Sequence, residues 1–327
     1  MERKKKHGKP VLLIAIVFLV LVFAYSGLRV LESTVFHKQP GSDAAPSKTI
    51  TRDGVDYFPR QDMTVVMLAG IDEEGPVQSS GSYNNTGEAD MVMLLIFDET
   101  NEKLDVLSLN RDAMVTMPVL GIGGKQAGTL FGQLALAHTY GSGLSDSCDN
   151  LETTVSDLLY GLDIDYYAVM NMDGIAILND AVGGVTVNVT DDFSEVDPSI
   201  TQGTMVLRGD QAVSFVRARG MVGNQLNLNR MARQQEYMTG FLTALRHKLD
   251  TDTSFILTAY DQVSAYMTTD CSAKTMASLA DRYGDYELGQ IYSLPGENVK
   301  GEEFMEYHLD EQELDALILD LLYDPKK

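Results

Sequence analysis

The chain has 327 residues, 44% hydrophobic and 22% charged, a globular composition with room for one large domain or two ordinary ones. Its formal net charge is −22. A surface this acidic argues against a nucleic-acid partner, because a phosphate backbone would be repelled by most of it.

Residues 1–9 form a basic tail, with Arg3, Lys4, Lys5, Lys6 and Lys9 against Glu2. Val11–Tyr25 (VLLIAIVFLVLVFAY) follows without a charge. That run is a little under the ~20 residues that span a bilayer as a helix, and its flanks extend it, so 10–28 reads as one transmembrane segment. Basic residues ahead of a span hold that end in the cytoplasm, which places the rest of the chain outside the cell membrane. Ala24-Tyr25-Ser26 also offers a small-x-small cleavage site. The apolar run exceeds the usual ~7–15-residue core of a signal peptide and so favours an uncleaved signal-anchor; either reading exports the remainder. Residues 29–56, with His37–Asp53 rich in Pro, Ser, Ala and Gly, read as a linker, and 57–327 as one compact unit.

Within that unit Thr64–Ala69, Met91–Phe97 and Lys103–Leu109 are short apolar runs bounded by turns, the signature of buried strands. Asp98–Lys103 between the last two is a hairpin turn. Helical patterns follow at Gly128–His138 and Asn150–Tyr160. A strand is predicted at Tyr166–Met170, a helix at Met172–Ala181 and an alternating strand at Val185–Thr190. Asp210 is placed to cap a helix over Gln211–Arg217. Leu228–Leu249 is the longest helical pattern. Last come a helix at Ser272–Tyr283, strands near Leu288–Leu294 and Glu306–Leu309, and a helix at Glu311–Tyr323. Strands interleaved with helices predict an α/β fold, an α/β/α layered domain around a mixed sheet.

Two cysteines, Cys148 and Cys271, both follow the apolar segment. An even, low count in an oxidising compartment suggests one disulfide; the alternative is two unrelated buried thiols.

Gln211–Gln235 holds Arg217, Arg219, Arg230 and Arg233 with no acidic residue, a cationic island in an acidic chain. The planar guanidinium fork matches phosphate or carboxylate, so clustered arginines suggest a multiply charged anion; the plainer reading is solvated arginines paired with surface acids. On the long helix Arg230 and Gln234 are four apart, as are Arg233 and Tyr237, placing two polar rows beside the apolar stripe. Asp72 follows the first strand and Asp90 precedes the second. If those strands are neighbours, both carboxylates meet at one sheet edge, where a hard cation such as Mg²⁺ would balance them and bridge to substrate phosphates. Arg111 and Asp112 follow the end of the third strand, and Asp112 is a third candidate acid. The Gly-rich segment Glu73–Glu88 is long enough to fold over a ligand. Motifs for zinc proteases, serine nucleophile elbows and phosphate-binding loops do not occur, and His138, alone in this region, has the ordinary look of a structural histidine.

Several linked motifs then resemble one family. These are LAGID ending at Asp72, GEAD ending at Asp90, LSLNRD at Leu107–Asp112, LALAHTYG at Leu134–Gly141, IDYY at Ile164–Tyr167, AVGGVTVNV at Ala181–Val189, LRGDQAVSFVRAR at Leu207–Arg219 and RMARQQ at Arg230–Gln235. Together, over Thr64–Leu245, they resemble the LytR–CpsA–Psr (LCP) family. The resemblance implies a membrane-anchored, extracytoplasmic phosphotransferase of mostly Gram-positive bacteria. Such a protein moves an anionic glycopolymer, wall teichoic acid or capsule, from undecaprenyl-pyrophosphate to peptidoglycan. It also implies a three-layer α/β/α domain with an apolar tunnel for the lipid. By the same resemblance Asp72 and Asp90 are Mg²⁺-associated acids, Arg111, Arg217, Arg219 and Arg230 bind pyrophosphate, Gln234 is an adjacent polar contact, and Asp112 is a base for the acceptor hydroxyl. The sequence departs from the family at Glu88 and Ala89 (usually Arg and Ser), Gln133 (usually Lys) and Asn227 (usually Asp). Those departures keep two further readings open, a polyprenyl-pyrophosphate hydrolase and a non-catalytic lipid-pyrophosphate-binding regulator.

Overall fold

A computed structural model describes residues 49–218, 222, 227–252, 255–271, 275, 278–279, 282–283 and 286–326. The basic tail, the 10–28 segment, most of the linker and Arg219 lie outside them. No helix among the described residues is long and apolar enough to cross a membrane.

In chain order the strands are β1 (Ile50–Arg52), β2 (Val55–Pro59), β3 (Met63–Ile71), β4 (Ala89–Asp98), β5 (Lys103–Leu109), β6 (Met114–Leu120) and β7 (Gln126–Gln133). A 3-10 turn, Leu134–Tyr140, leads to α1 (Ser145–Leu158), β8 (Tyr166–Asn171), α2 (Met172–Ala181), β9 (Val185–Val189) and β10 (Gly203–Leu207). Then come α3 (Asp210–Arg217), α4 (Asn227–Thr251), α5 (Phe255–Val263) and β11 (Met267–Thr269). The chain closes with β12 (Glu287–Ser293), β13 (Gly296–Lys300), β14 (Met305–Leu309), α6 (Glu311–Leu322) and β15 (Tyr323–Pro325).

The centre is a six-stranded mixed sheet in the order β11-β8-β3-β4-β5-β12, so the fold is α/β. β4 runs antiparallel to its neighbours β3 and β5, while β8 joins β3 and β12 joins β5 in parallel. Both faces are covered, which is why these strands read as almost unbroken apolar runs. Val65, Met67, Leu94, Ile96 and Leu107 pack on one face with Leu151 and Val155 of α1 and Ile318 and Leu322 of α6. Val66, Leu68, Leu95 and Phe97 pack on the other with Cys271, Leu279 and Tyr283. A further core joins α2–α5 to β9 and β10. There α4 lies against β9 so closely that a Cβ at Gly240 would fall 2.2 Å from the Thr186 carbonyl oxygen, which restricts that position to glycine.

The structure corrects several sequence expectations. Gly128–His138 is not a helix: β7 pairs with β6 as a ribbon, and the 3-10 turn follows. Two glycines and the strand-favouring Thr129 and Phe131 outweigh the helical spacing. Asp210 does not cap α3 from outside but occupies its first turn, after Gly209 at φ +49°; its charge still complements the helix dipole. Residues 49–56, taken as linker, pair instead as β1 and β2. The expected disulfide is absent: Cys148 and Cys271 are buried free thiols in the cores on opposite faces of the sheet. Burial pushes both thiols well above the ordinary cysteine range, so neither is a ready nucleophile.

Candidate active site

The ends of β3 and β5 and the start of β4 meet at one sheet edge. The register pairs Ile71 with Ala89, with an irregularity between Gly70 and Ile71, and the Asp72 amide donates to the Glu88 carbonyl at 2.8 Å. Asp72 and Asp90 therefore lie on adjacent strands at the same level. Arg111, just past β5, reaches back across both: its guanidinium contacts Asp90, Glu88 at 2.5 Å and Asp112 at 3.3 Å.

Two arginines from the cationic island close this edge from the far side. Arg230 of α4 bonds Asp90 at 3.1 Å, and Arg217, leaving α3, bonds Asp72 at 2.5 Å and lies 3.8 Å from Glu74. Asp90 thus takes a guanidinium on each oxygen. Arg111, Asp90 and Arg230 are buried, whereas Arg217 is 42% exposed and Glu88 is 40% exposed. So arginine and carboxylate alternate from a sealed inner pair to an open rim.

Spacing on α4 misplaced its charged residues. Arg230 and Arg233 do not merely flank the apolar stripe; both are buried in line with Tyr237, Phe241 and Leu245. Arg233 holds the end of α3 by donating to the carbonyls of Phe215 and Ala218, pairs with Asp191 at 2.9 Å, and lies over the Phe193 ring. A cation at the carbonyl end of a helix complements its dipole, and here it fixes the segment that presents Arg217. Gln234 is nearby, its amide 3.4 Å from the Val216 carbonyl.

The Gly-rich segment is tied down rather than free to fold over a ligand. Asn85 is buried and donates to the His138 and Gly141 carbonyls, both at 2.9 Å. His138 Nδ1 lies 2.8 Å from the Gly87 carbonyl, which makes that nitrogen the donor. Asn85 and His138 fix the backbone that carries Glu88 and Asp90. Neither carried a sequence signal for this role beyond a polar residue among small ones. Burial lowers the His138 pKa to about 4 by disfavouring the imidazolium, against an ordinary 6.5. The unfolded chain would bind that proton near pH 6.5 and the native protein only near pH 4. Stability from this group is therefore whole above pH 6.5, falls as pH drops towards 4, and the loss approaches roughly 3 kcal/mol. His138→Gln is expected to flatten the urea midpoint between pH 7 and pH 4.5; an equally steep profile in the variant would assign the acid sensitivity elsewhere.

Against this charged edge opens an apolar cavity, about 780 Å³ when the open space at its mouth is included. Gly70 and Met91 of the sheet, Ile175 and Leu178 of α2, and Tyr237 and Phe241 of α4 line it; Asp90, Arg217 and Gln234 stand at its charged end. An apolar chain with an anionic head would match both parts.

The profile of the LytR_cpsA_psr family matches residues 25–321. The chain belongs to this family. Among curated relatives, the polyisoprenyl-teichoic acid--peptidoglycan teichoic acid transferase TagU of Oceanobacillus iheyensis is 26% identical over 72% of this chain and 69% of its own length. The TagU of Bacillus anthracis is 28% identical over 54% of this chain, which spans about half of that relative, 51%. Among solved structures, TagT bound to LI-WTA matches 80% of this chain and 90% of its own at 21% identity and a TM-score of 0.60. A Streptococcus agalactiae protein matches 80% and 86% at 24% identity and 0.65. These structures share the LCP fold with its central mixed sheet.

Mg²⁺ is the cation expected from the sequence. Among the described residues no three His, Cys, Asp or Glu side chains gather to hold a metal ion. Mg²⁺ commonly takes one or two carboxylates and completes its shell with water and substrate phosphates, so a full protein cage is not required. Asp72, partly exposed beside the cavity mouth, fits that pattern. Asp90, sealed between Arg111 and Arg230, serves the arginines instead.

Proposed function

We propose that this LCP protein transfers a phosphate-linked glycopolymer from a polyprenyl diphosphate carrier to a hydroxyl of peptidoglycan, outside a membrane to which residues 10–28 anchor it. One observation carries the reading: an apolar cavity whose charged end holds Arg217, paired with the partly exposed Asp72. The TagU names of its relatives and the LI-WTA-bound TagT support the class of donor and acceptor.

The lipid chain occupies the cavity, and Arg111, Arg217 and Arg230 face its two phosphates. The acceptor oxygen attacks the sugar-linked phosphorus. The bond from that phosphorus to the bridging oxygen breaks, and the carrier leaves as its monophosphate. Asp112 takes the hydroxyl proton. Asp72 would hold Mg²⁺, which would supply positive charge against the leaving phosphate. Positioning and charge account for most of such a step.

Glu88 sets a condition on donor binding. Its carboxylate stands on an outer nitrogen of Arg111, where a phosphate oxygen would go. It is exposed enough to swing away, and the donor must displace it. Glu88→Gln is therefore expected to lower the donor's KM by roughly three- to tenfold, since a neutral amide competes weakly for a guanidinium. An unchanged KM would show that Glu88 does not compete.

The same contact favours a second reading, transfer to water, because an acid at this point weakens the grip on the donor. Purified full-length protein with lipid diphosphate-linked polymer, Mg²⁺ and peptidoglycan separates the outcomes. A polymer–peptidoglycan conjugate supports transfer, free phosphorylated polymer supports hydrolysis, and intact lipid supports a binding protein.

A further inference from the structure

The edge has a second side that the donor does not use. Arg111 points along the edge to Asp90, towards the cavity, while Asp112 turns the other way: its Oδ1 accepts from Gln133 of β7 at 3.1 Å as well as from Arg111 at 3.3 Å. Beyond it lies the β6–β7 ribbon. Val115 and Met117 face its inner side and are buried in the core. The register pairs Met114 with Gln133, Thr116 with Phe131 and Pro118 with Thr129, and side chains two apart along a strand share a face, so Gln133, Phe131, Thr129 and Thr116 form the outer side. Thr116 and Thr129 are exposed, and the Phe131 ring is 65% exposed. Gln133 also donates to the Met305 carbonyl at 2.9 Å, which brings exposed Phe304 and Met305 alongside. No acid occurs in residues 113–145, in a chain of net charge −22.

We propose that this outer ribbon face is the acceptor subsite and that it binds a glycan strand, with Phe131 as the platform for a sugar ring. The inference rests on the transfer reading. A ledge with an amide, two hydroxyls and an exposed aromatic ring, and without charge, suits a hydroxyl-rich polymer whose C–H faces stack on the ring. It is continuous with Asp112, so a sugar lying on Phe131 brings a neighbouring hydroxyl to the residue that would take its proton. The donor phosphate and the acceptor then approach the Arg111–Asp112 pair from opposite sides, and the lipid never crosses the acceptor's path. Gln133 is a positioning residue here: it holds the Asp112 carboxylate towards the ledge.

The test uses the full chain with a lipid diphosphate-linked donor and soluble, uncrosslinked peptidoglycan glycan strands. Phe131→Ala is expected to raise the acceptor's KM about tenfold while the donor's KM moves less than twofold, and Phe131→Tyr to restore it. Titration of the glycan strands without donor should show the same loss. Equal glycan binding by wild type and Phe131→Ala overturns the proposal. So does a variant that keeps glycan binding but leaves lipid vesicles, which would give the face to the membrane. Glycan binding that depends on Phe131 in a protein that transfers nothing keeps the subsite and rejects the transfer reading instead.

Discussion

Arg217→Ala should lower kcat/KM for polymer transfer by about 10²–10³-fold, the loss typical of removing a charge aimed at a transferring phosphoryl group. The same substitution should leave stability within about 1 kcal/mol. Arg217 is 42% exposed, and an ion pair at that exposure, here with Asp72 at 2.5 Å, contributes little to folding in water. Its position at the charged end of the cavity, rather than its ion pair, gives it its expected importance. Arg217→Lys should fall between the two, since an ammonium keeps the charge but loses the planar fork. Transfer kinetics paired with chemical unfolding decide the matter. Transfer within a few-fold of wild type in Arg217→Ala would remove this arginine from the site.

Asp90 behaves in the opposite way. Asp90→Ala is expected to destabilise the protein by about 3–5 kcal/mol and lower its melting temperature on the order of 10 °C. Asp90 is the carboxylate that buried Arg111 and buried Arg230 share, and removing it leaves two guanidiniums facing each other inside the protein. Asp90→Asn keeps the shape and loses the charge, so it should be nearly as harmful. Both variants should lose transfer, because the arginines that face the donor would no longer be held. Unfolding curves that superimpose on wild type would mean that Asp90 is not the anchor of the arginine pair.

These two residues also mark how far local sequence reaches. Asp72 and Asp90 were placed at one edge because each adjoins a run of apolar, β-branched residues, and such runs become strands wherever both faces of a sheet are covered. Arg111 and Arg217 stood out as charges leaving the ends of elements, and Arg230 as one of a polar row on the long helix. Burial was another matter. On α4 the 3.6-residue period marks a face, and the sequence reading gave that face to the apolar residues and set Arg230 and Arg233 in polar rows flanking it. The fold puts both arginines inside, because their partners come from β4, from the segment after β9 and from α3.

By itself, then, the sequence determined the central strands β3, β4, β5 and β8 and helices such as α2 and α4, since apolar runs and helical period are local properties of a chain. The tertiary structure alone decided which charges pair. Arg230 and Asp90 are 140 residues apart, and only the β3–β4 register and the packing of α4 on β9 bring them together. It also decided that Glu88 stands on Arg111, that Cys148 and Cys271 face away from each other across the sheet, and that residues 126–133 pair with β6 instead of coiling. Each of these depends on a neighbour distant in the chain, so no local window contains it.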